Sequence, residues 1–535
     1  MFKPVNCTIF LRTFAENEVV TVRHSDSEII FQRDGQMLVT PGANRADVAS
    51  AVRLCAQLET ITAGSYLFRL SPVAIWGSTA RGLDAQTILE RLNRHASSPV
   101  PAQVGALVAQ HAGRFGAIWI ERGSGGESVL RSREPSILAQ LGLQDGCALP
   151  HRELGSVKVR LAAAGWPVVD QTDRNSLDQI RIGWKPGVAL RPYQRDAVEA
   201  HRRAGHGLVL LPCGAGKTMV GVGAAVEAAE PTLVLAPSRE IASQWRRAFL
   251  SSTTVDPKEV SIVTGNDQPT QFTITTYQSA SSGRVGSAIA SRAWGLAIYD
   301  EVQSLPANVF RTVSAISAVR RLGLSATLVR EDGREAEVFA MVGPAVFDLP
   351  WIELEREGWI APALCYEVRI PRADTARDRG RYKHAVIQRI IERHNESPVL
   401  IVGSNVQSLT AIANRFDLPI LTGKDSTDRR EEVFQAFRSG EISRLVVSRI
   451  GSVGLDLPSA EVMIQVNGNF GSRQEEAQRL GRLLRPGDGR PVHFYTLVSL
   501  GTREPEYARH RQRFLVDQGY EYEIWDAADL PRSGP

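Results

Sequence analysis

The chain has 535 residues, 43% of them hydrophobic and 22% charged, with a net charge of +4, so it holds about three or four domains of ordinary size and is no small binding module. So mild a basicity does not by itself argue for a nucleic-acid partner. Five scattered cysteines without a CxxC spacing disfavour a disulfide framework, structural zinc or an iron–sulfur cluster, and neither a long apolar run nor a signal-like N-terminus is present, which leads us to expect a reducing, cytoplasmic location and no membrane partner. Only seven of the 62 basic residues are lysines, which we read as a mark of bacterial genomic base composition and not of function.

In chain order, residues 1–122 read as a mixed region with a helical stretch around Thr87 to Arg94. The turn-rich SSPVPA segment and a flexible GSGG at 123–126 follow. Residues 127–185 form a second small region closing on DQTDRNSLDQIRIGWKPG; within it LAAAGWPVV reads first as a packed helix end, with DNA contact by Trp166 the less favoured alternative. From 207 to 500, strand-length apolar runs alternate with helix-length segments, the pattern of parallel α/β domains. The candidate strands are GLVLL, TLVLA, FTITT, LAIYD and RLGLS, then VLIVG, PILTG, RLVVS, VMIQV and HFYTL. They predict two sheets of about five strands, in domains at 186–345 and 346–535, with a break near Gly343 to Glu357.

The segment LPCGAGKT follows the first of these strands and precedes the helix-like MVGVGAAVEAA. A strand, a glycine-rich turn and a helix in that order make a phosphate cradle. The loop Pro212–Gly216 (Cys213, Gly214 and Ala215 between) wraps the anion with the backbone N–H groups that follow the proline, Lys217 reaches the β- and γ-phosphates, and the Thr218 hydroxyl can ligate Mg²⁺. Leu211 stands where the common pattern begins with glycine. Such a loop needs a second metal ligand and a base on a neighbouring strand. LAIYDE supplies Asp300 for the Mg²⁺ shell and Glu301 to polarise the attacking water, although an Asp–Glu pair ending a strand can also be a plain helix N-cap region.

Near the end of the second predicted domain, QEEAQRLGRLLRPG spaces Arg479, Arg482 and Arg485 by three. At about 100° per residue they share one sector of a helix. Alone this would be a solvated basic face; with a phosphate loop in the chain, the arginines have a transition state to stabilise. Since the loop lies in one predicted domain and the arginines in the next, the site would be complete only when the two close on ATP, the arrangement of a motor or switch.

These segments together resemble superfamily-two helicases, and within them the XPB family, over most of the chain. LRPYQ is similar to the adenine-reading Q motif, LPCGAGKT to motif I, LAPSREIASQW and TTYQ to the DNA-contacting motifs Ia and Ib, and IYDEVQ to motif II. GLSAT resembles motif III, GSVGLDLPSA motif V and QRLGRLLRP motif VI; Arg330, Glu331 and Asp332 directly after SATLV resemble the family's RED motif. The tail YARHRQRFLVDQGYEYEI and the N-terminal YLFRLSPVAIWGSTARGLDAQTILERL also look like the family's.

The resemblance implies two tandem RecA-like parallel-sheet domains preceded by smaller mixed α/β domains, the region 127–185 taking the place of the damage-recognition domain. It implies Arg191 and Gln194 at the adenine, Gln478 as γ-phosphate sensor, Arg482 and Arg485 as arginine fingers, Arg479 as structural, and Asp456 touching ATP or coupling it to DNA. Ser238, Arg239 and Thr276 would contact DNA, while Gln303, Ser325, Thr327 and the Arg330–Asp332 run would couple hydrolysis to domain movement. Two departures stand out. Gln303 replaces the usual motif II histidine and cannot titrate, and only PRADTARDRGRYK is available for the family's thumb-like insertion.

The implied activity is ATP-dependent 3′ to 5′ DNA unwinding, sequence-independent and salt-sensitive, with ATP and Mg²⁺ as cofactors. The competing expectations are a duplex translocase that tracks without separating strands and an ATP-gated scaffold in a repair or transcription complex. With no nuclease pattern among so few lysines, cutting would fall to a separate nuclease.

Overall fold

The computed structural model describes residues 28–530 apart from 33, 41, 43–44, 63–64, 173–176, 213, 282, 306–312, 314–315, 327–333, 449–459, 468–490, 518–519 and 521. The chain divides into two units, Met1–Ala112 and Gly113–Pro535.

In the first unit, strands β1 (Ile29–Phe31), β2 (Met37–Val39), β3 (Ala56–Thr62) and β4 (Ser65–Leu70) form an antiparallel sheet in the order β1-β2-β4-β3. The expected helical stretch is the helix Ala85–Asn93. It starts where Asp84 accepts a hydrogen bond from the Thr87 N–H at 2.8 Å, and it buries Ile88 and Leu92 on one side.

The second unit begins with a small sheet: β5 (Ile118–Arg122), β6 (Ser128–Ser132), β7 (Ala148–Leu149) and β8 (Val168–Asp170), ordered β7-β6-β5-β8. The GSGG segment, expected to be a flexible link, is the turn of the antiparallel β5–β6 hairpin. Its glycine composition serves reversal of the chain; Gly126 has φ 86°. Trp166 follows the helix His151–Ala163, packs on that sheet's core and lies under the Arg114 guanidinium, 4.7 Å from its carbon.

That helix also packs against the helix Glu335–Val342 of the following domain, and a buried ion pair sits close by, Lys158 Nζ to Asp170 Oδ2 at 2.6 Å. Burial opposes ionisation of Asp170 most strongly, but Lys158, His206 and the Thr172 hydroxyl more than offset it and hold the carboxyl well below its ordinary value. A carboxylate with a depressed folded pKa contributes stability that is present above the unfolded value and disappears as pH falls through the folded one. Lys158→Ala is therefore expected to destabilise the fold by about 3–5 kcal/mol, because the partner charge stays buried. Denaturant unfolding checks this, and the variant should lose less stability than the wild type between neutral and acid pH.

Two large parallel sheets follow. The first contains β9 (His206–Leu210), β10 (Thr232–Ala236), β11 (Val260–Ile262), β12 (Phe272–Thr276), β13 (Trp294–Asp300), β14 (Ala318–Ser325) and β15 (Ala345–Asp348), ordered β11-β12-β10-β13-β14-β9-β15. The second contains β16 (Ala363–Ile370), β17 (Val399–Gly403), β18 (Ile420–Leu421), β19 (Arg444–Ser448), β20 (Val462–Gln465), β21 (Val492–Ser499) and β22 (Tyr522–Asp526), ordered β18-β19-β17-β20-β21-β16-β22. Strands such as β10, β13 and β17 are buried at every residue because helices cover both faces, which is why they read as unbroken apolar runs. These are the expected tandem RecA-like domains.

Each sheet has seven strands, against about five expected. The additions are mostly sheet margins. β11, β15 and β22 are edge strands of three to five residues, mixing polar with apolar positions, and β15 occupies the stretch read as a break. β16 is the exception, lying inside the second sheet between β21 and β22. Among the described residues no helix is long and apolar enough to cross a membrane.

Candidate functional site

β13, β14 and β9 are neighbours, so the carboxyl ends of three adjacent parallel strands bring together the phosphate loop, the acidic pair and Ser325. This is the edge at which open α/β sheets hold ligands.

The loop leaves β9 at Leu211, whose N–H donates to the Ser325 carbonyl at 3.0 Å. Leu211 is buried and is not among the positive-φ residues, so the first position of the pattern needs no glycine here. Gly214 and Gly216 do need to be glycine, with φ of 85° and 81°. At Gly216 a Cβ would also lie 2.5 Å from Gln194 Nε2. Gly216 caps the helix Lys217–Ala228 without a side-chain cap bond, and the N-terminal end of that helix dipole favours an anion.

Two residues of the Q-motif segment brace this loop from the helix Pro192–Ala204. Tyr193 Oη and Gln194 Nε2 each donate to the Ala215 carbonyl at 2.9 Å, and Gln194 Oε1 accepts from the Arg191 N–H at 2.9 Å. Arg191 lies over the Trp359 ring, 5.5 Å from its centroid, and Tyr193 meets the same ring edge-on at 5.7 Å. Trp359 belongs to the stretch joining the two large sheets, so that stretch is docked beside the candidate nucleotide pocket. Sequence reasoning missed it because nothing local marks a lone tryptophan between domains.

Lys217 Nζ lies 3.4 Å from Glu301 Oε1 and donates to the Leu211 carbonyl at 3.4 Å. Glu301 holds a left-handed backbone, φ 48° and ψ 46°. For a non-glycine residue that costs roughly 1–2 kcal/mol, the kind of strain that gathers at functional sites. Gln303 spans the site: its Nε2 donates to Glu301 Oε2 at 2.6 Å and its Oε1 accepts from Ser325 Oγ at 2.6 Å. The glutamine thus uses both halves of its amide, donor toward the acidic pair and acceptor from the serine, which an imidazole in one tautomer also offers.

Asp300 is buried at the end of β13, with Oδ2 accepting from Trp245 Nε1 at 2.7 Å and its carbonyl accepting from Tyr277 Oη at 2.8 Å. Burial first, and the Glu301 carboxylate second, push its pKa up to about 6 against the opposing Trp245 N–H and Lys217 ammonium. Two carboxylates facing one ammonium, with the Thr218 hydroxyl at the start of the helix, make an all-oxygen donor set suited to a hard divalent cation. Ser238 and Thr276 are N-caps, accepting from the Ile241 and Ser279 N–H groups, and Arg239 opens the helix Arg239–Ser252. Both caps follow strands of the same sheet, β10 and β12, at their carboxyl ends.

Cys213, Thr327, Arg330, Glu331, Asp332, Asp456, Gln478, Arg479, Arg482 and Arg485 lie outside the described residues. In the place of the thumb-like insertion, β16 ends at Ile370 and a single helix, Ala376–Arg393, follows after five residues. Its first half carries exposed Arg377, Arg381 and Tyr382.

Three family models match the chain: the ERCC3/RAD25/XPB C-terminal helicase over residues 381–531, the res subunit of type III restriction enzymes over 187–330, and a helicase conserved C-terminal domain over 29–148. A DNA 3′-5′ helicase XPB of Kineococcus radiotolerans is 38% identical, over 96% of this chain and 98% of its own. One from Mycobacterium tuberculosis is 37% identical over 95% and 99%. The Saccharomyces cerevisiae transcription and DNA repair factor IIH helicase/translocase subunit XPB/SSL2 is 34% identical over 69% of this chain and 49% of its own. Among solved structures, the DNA-bound ATP-dependent Type ISP restriction-modification enzyme LlaBIII is similar in fold, with a TM-score of 0.51 at 13% identity over 63% of this chain and 31% of that one. With near-complete coverage at more than a third identity, this chain belongs to the XPB family of superfamily-two helicases.

Proposed function

We propose that the chain is an ATP-dependent DNA helicase of 3′ to 5′ polarity, hydrolysing ATP at the seam of its two RecA-like domains and acting in DNA repair. The observation that carries this reading is the convergence of Lys217, the Asp300–Glu301 pair and Ser325 on three adjacent strand ends. The near-full-length likeness to DNA 3′-5′ helicases gives the activity and its polarity.

Lys217 and the loop N–H groups bind the triphosphate. Thr218 and Asp300 would hold Mg²⁺, which when bound neutralises charge on the β- and γ-phosphates. Glu301 orients and deprotonates the attacking water, and Gln303 ties that base to Ser325. Gln478, Arg482 and Arg485 of the second domain stabilise the transferring phosphoryl group, and Asp456 contacts ATP or couples it to DNA. Arg191 and Gln194 frame the base. Ser238, Arg239 and Thr276 take the DNA backbone; Thr327 and the Arg330–Asp332 run belong to the coupling machinery. A separate nuclease is the partner expected for any incision.

A duplex translocase is the second reading. The direct passage from Ile370 to the helix at Ala376 favours it, because no inserted domain is available there to part strands. A fork-unwinding assay run beside triplex displacement decides between the two. The helicase reading expects ATP-dependent separation of a 3′-tailed fork, and triplex displacement without fork opening would replace it with the translocase. Failure in both, with hydrolysis indifferent to DNA, would leave the scaffold reading.

A further inference from the structure

Asp300 is held from two directions by aromatic donors, and each donor lies just beyond an element assigned above to the DNA backbone. Trp245 sits on the helix opened by Ser238 and Arg239, six residues after Arg239, and its indole N–H donates to Asp300 Oδ2 at 2.7 Å. Tyr277 directly follows Thr276, and its hydroxyl donates to the Asp300 carbonyl at 2.8 Å. These elements come from different strands, β10 and β12, yet end on one residue.

Neither ring can move independently. Trp245 is fully buried and presses on the helix that starts with Lys217: a Cβ at Gly221 would lie 2.3 Å from Trp245 Cη2. The glycine there makes room for the indole between the phosphate-loop helix and the DNA-facing helix. Close-packed contacts of this kind transmit displacement instead of absorbing it. Tyr277 is buried in a separate core cluster from that of Trp245, one that also holds Leu235 and Tyr299. Its bond fixes the peptide unit that leads from Asp300 into the left-handed Glu301. A buried indole N–H or phenol O–H requires a partner. Apolar packing alone would be served as well by phenylalanine, so the two donor groups are what set Asp300.

We infer that Trp245 and Tyr277 are positioning residues that relay DNA engagement to the metal-binding carboxylate and the catalytic base: Trp245 orients the Asp300 side chain, and Tyr277 orients the backbone from which Glu301 is presented. Movement of the Ser238–Arg239 helix start or of the Thr276 turn on the phosphate backbone is felt at Asp300 through one hydrogen bond each. This rests on the assignment of Ser238, Arg239 and Thr276 to DNA.

The test uses the full chain with Tyr277→Phe, which removes a single oxygen, and Trp245→Phe, which removes the donor and keeps an aromatic ring. Three quantities are measured: duplex DNA affinity by anisotropy, the Mg²⁺ concentration that half-saturates binding of a fluorescent, non-hydrolysable ATP analogue, and the ratio of ATPase rates with and without saturating DNA. The expected result is DNA affinity within about twofold of wild type, a half-saturating Mg²⁺ concentration raised several-fold, and a DNA stimulation ratio reduced about tenfold in Trp245→Phe, which loses a charge-assisted hydrogen bond to the carboxylate, and several-fold in Tyr277→Phe, which loses a neutral one to the peptide carbonyl. Unchanged Mg²⁺ dependence and stimulation in Tyr277→Phe would overturn the relay, as would a loss of DNA affinity matching the loss of stimulation. If Trp245→Phe does not fold, Tyr277→Phe decides alone. A wild type that hydrolyses ATP but ignores DNA would instead strike at the DNA assignment, and Lys217→Ala in the same assay reports separately on the nucleotide site.

Discussion

Lys217→Ala is expected to lower DNA-stimulated ATP turnover by at least about 10²–10³-fold, the loss typical when one preorganised charge donor is removed from a dry site. The structure gives the reason. Lys217 follows a loop whose backbone turns at Gly214 and Gly216, and its ammonium lies 3.4 Å from Glu301 Oε1. A triphosphate held by the loop would offer that ammonium a dense negative charge, which alanine cannot match. Glu301→Gln should be nearly as severe, about 10²–10⁴-fold, for a different reason. Glutamine keeps the shape and can still bond Gln303, but it cannot take a proton. The two variants should separate in binding: Lys217→Ala loses affinity for a fluorescent ATP analogue, whereas Glu301→Gln keeps it. Steady-state hydrolysis with saturating DNA and analogue binding by anisotropy check both. Hydrolysis within a few-fold of wild type in Glu301→Gln would remove it from the base role.

Arg482→Ala and Arg485→Ala are expected to cost about 10³–10⁵-fold each in turnover, with ATP binding largely kept, because an arginine finger acts on charge that appears only in the transition state. Lysine should rescue only weakly at either position, since a point charge does not reproduce the planar fork of the guanidinium. Arg479→Ala, assigned to structure, should instead register in thermal stability more than in turnover. Equal losses at all three positions would argue that the segment is a basic face acting as a whole, and no loss at Arg482 and Arg485 would remove the second domain from the chemistry.

Much of the fold was legible in the sequence because its strands are buried on both sides. VLIVG, and LAIYD up to its closing Asp300, are apolar for that reason, and each forms a strand at the expected place. β11, β15 and β22 were not legible: they are short edge strands that mix polar with apolar positions, and nothing in three to five residues separates them from loop. GSGG reads alike as linker and as hairpin turn; the pairing of the flanking strands, from Arg122 with Ser128 out to Ile118 with Ser132, selects the turn.

The site shows the same division. Lys217, Asp300 and Glu301 were legible as candidates because a phosphate site would need such groups at strand ends, and the strand order places them side by side. The Gln303 bridge to Ser325 was foreseen only as a departure from histidine; that one amide would serve both neighbours follows from the strand order, which places β14 beside β13. Trp245 and Tyr277 stood inside the quoted segments and still passed unread, since their roles depend on hydrogen bonds across 55 and 23 residues of sequence.

The central claim is that DNA engagement drives ATP turnover at this seam, and it is tested most directly by one ATPase measurement made with no nucleic acid, single strands, duplex, fork and RNA in parallel. The account predicts that the DNA substrates raise turnover at least about tenfold, that sequence is immaterial, and that the gain fades as salt rises. A rate equal in all five conditions, or one raised by RNA alone, would contradict it.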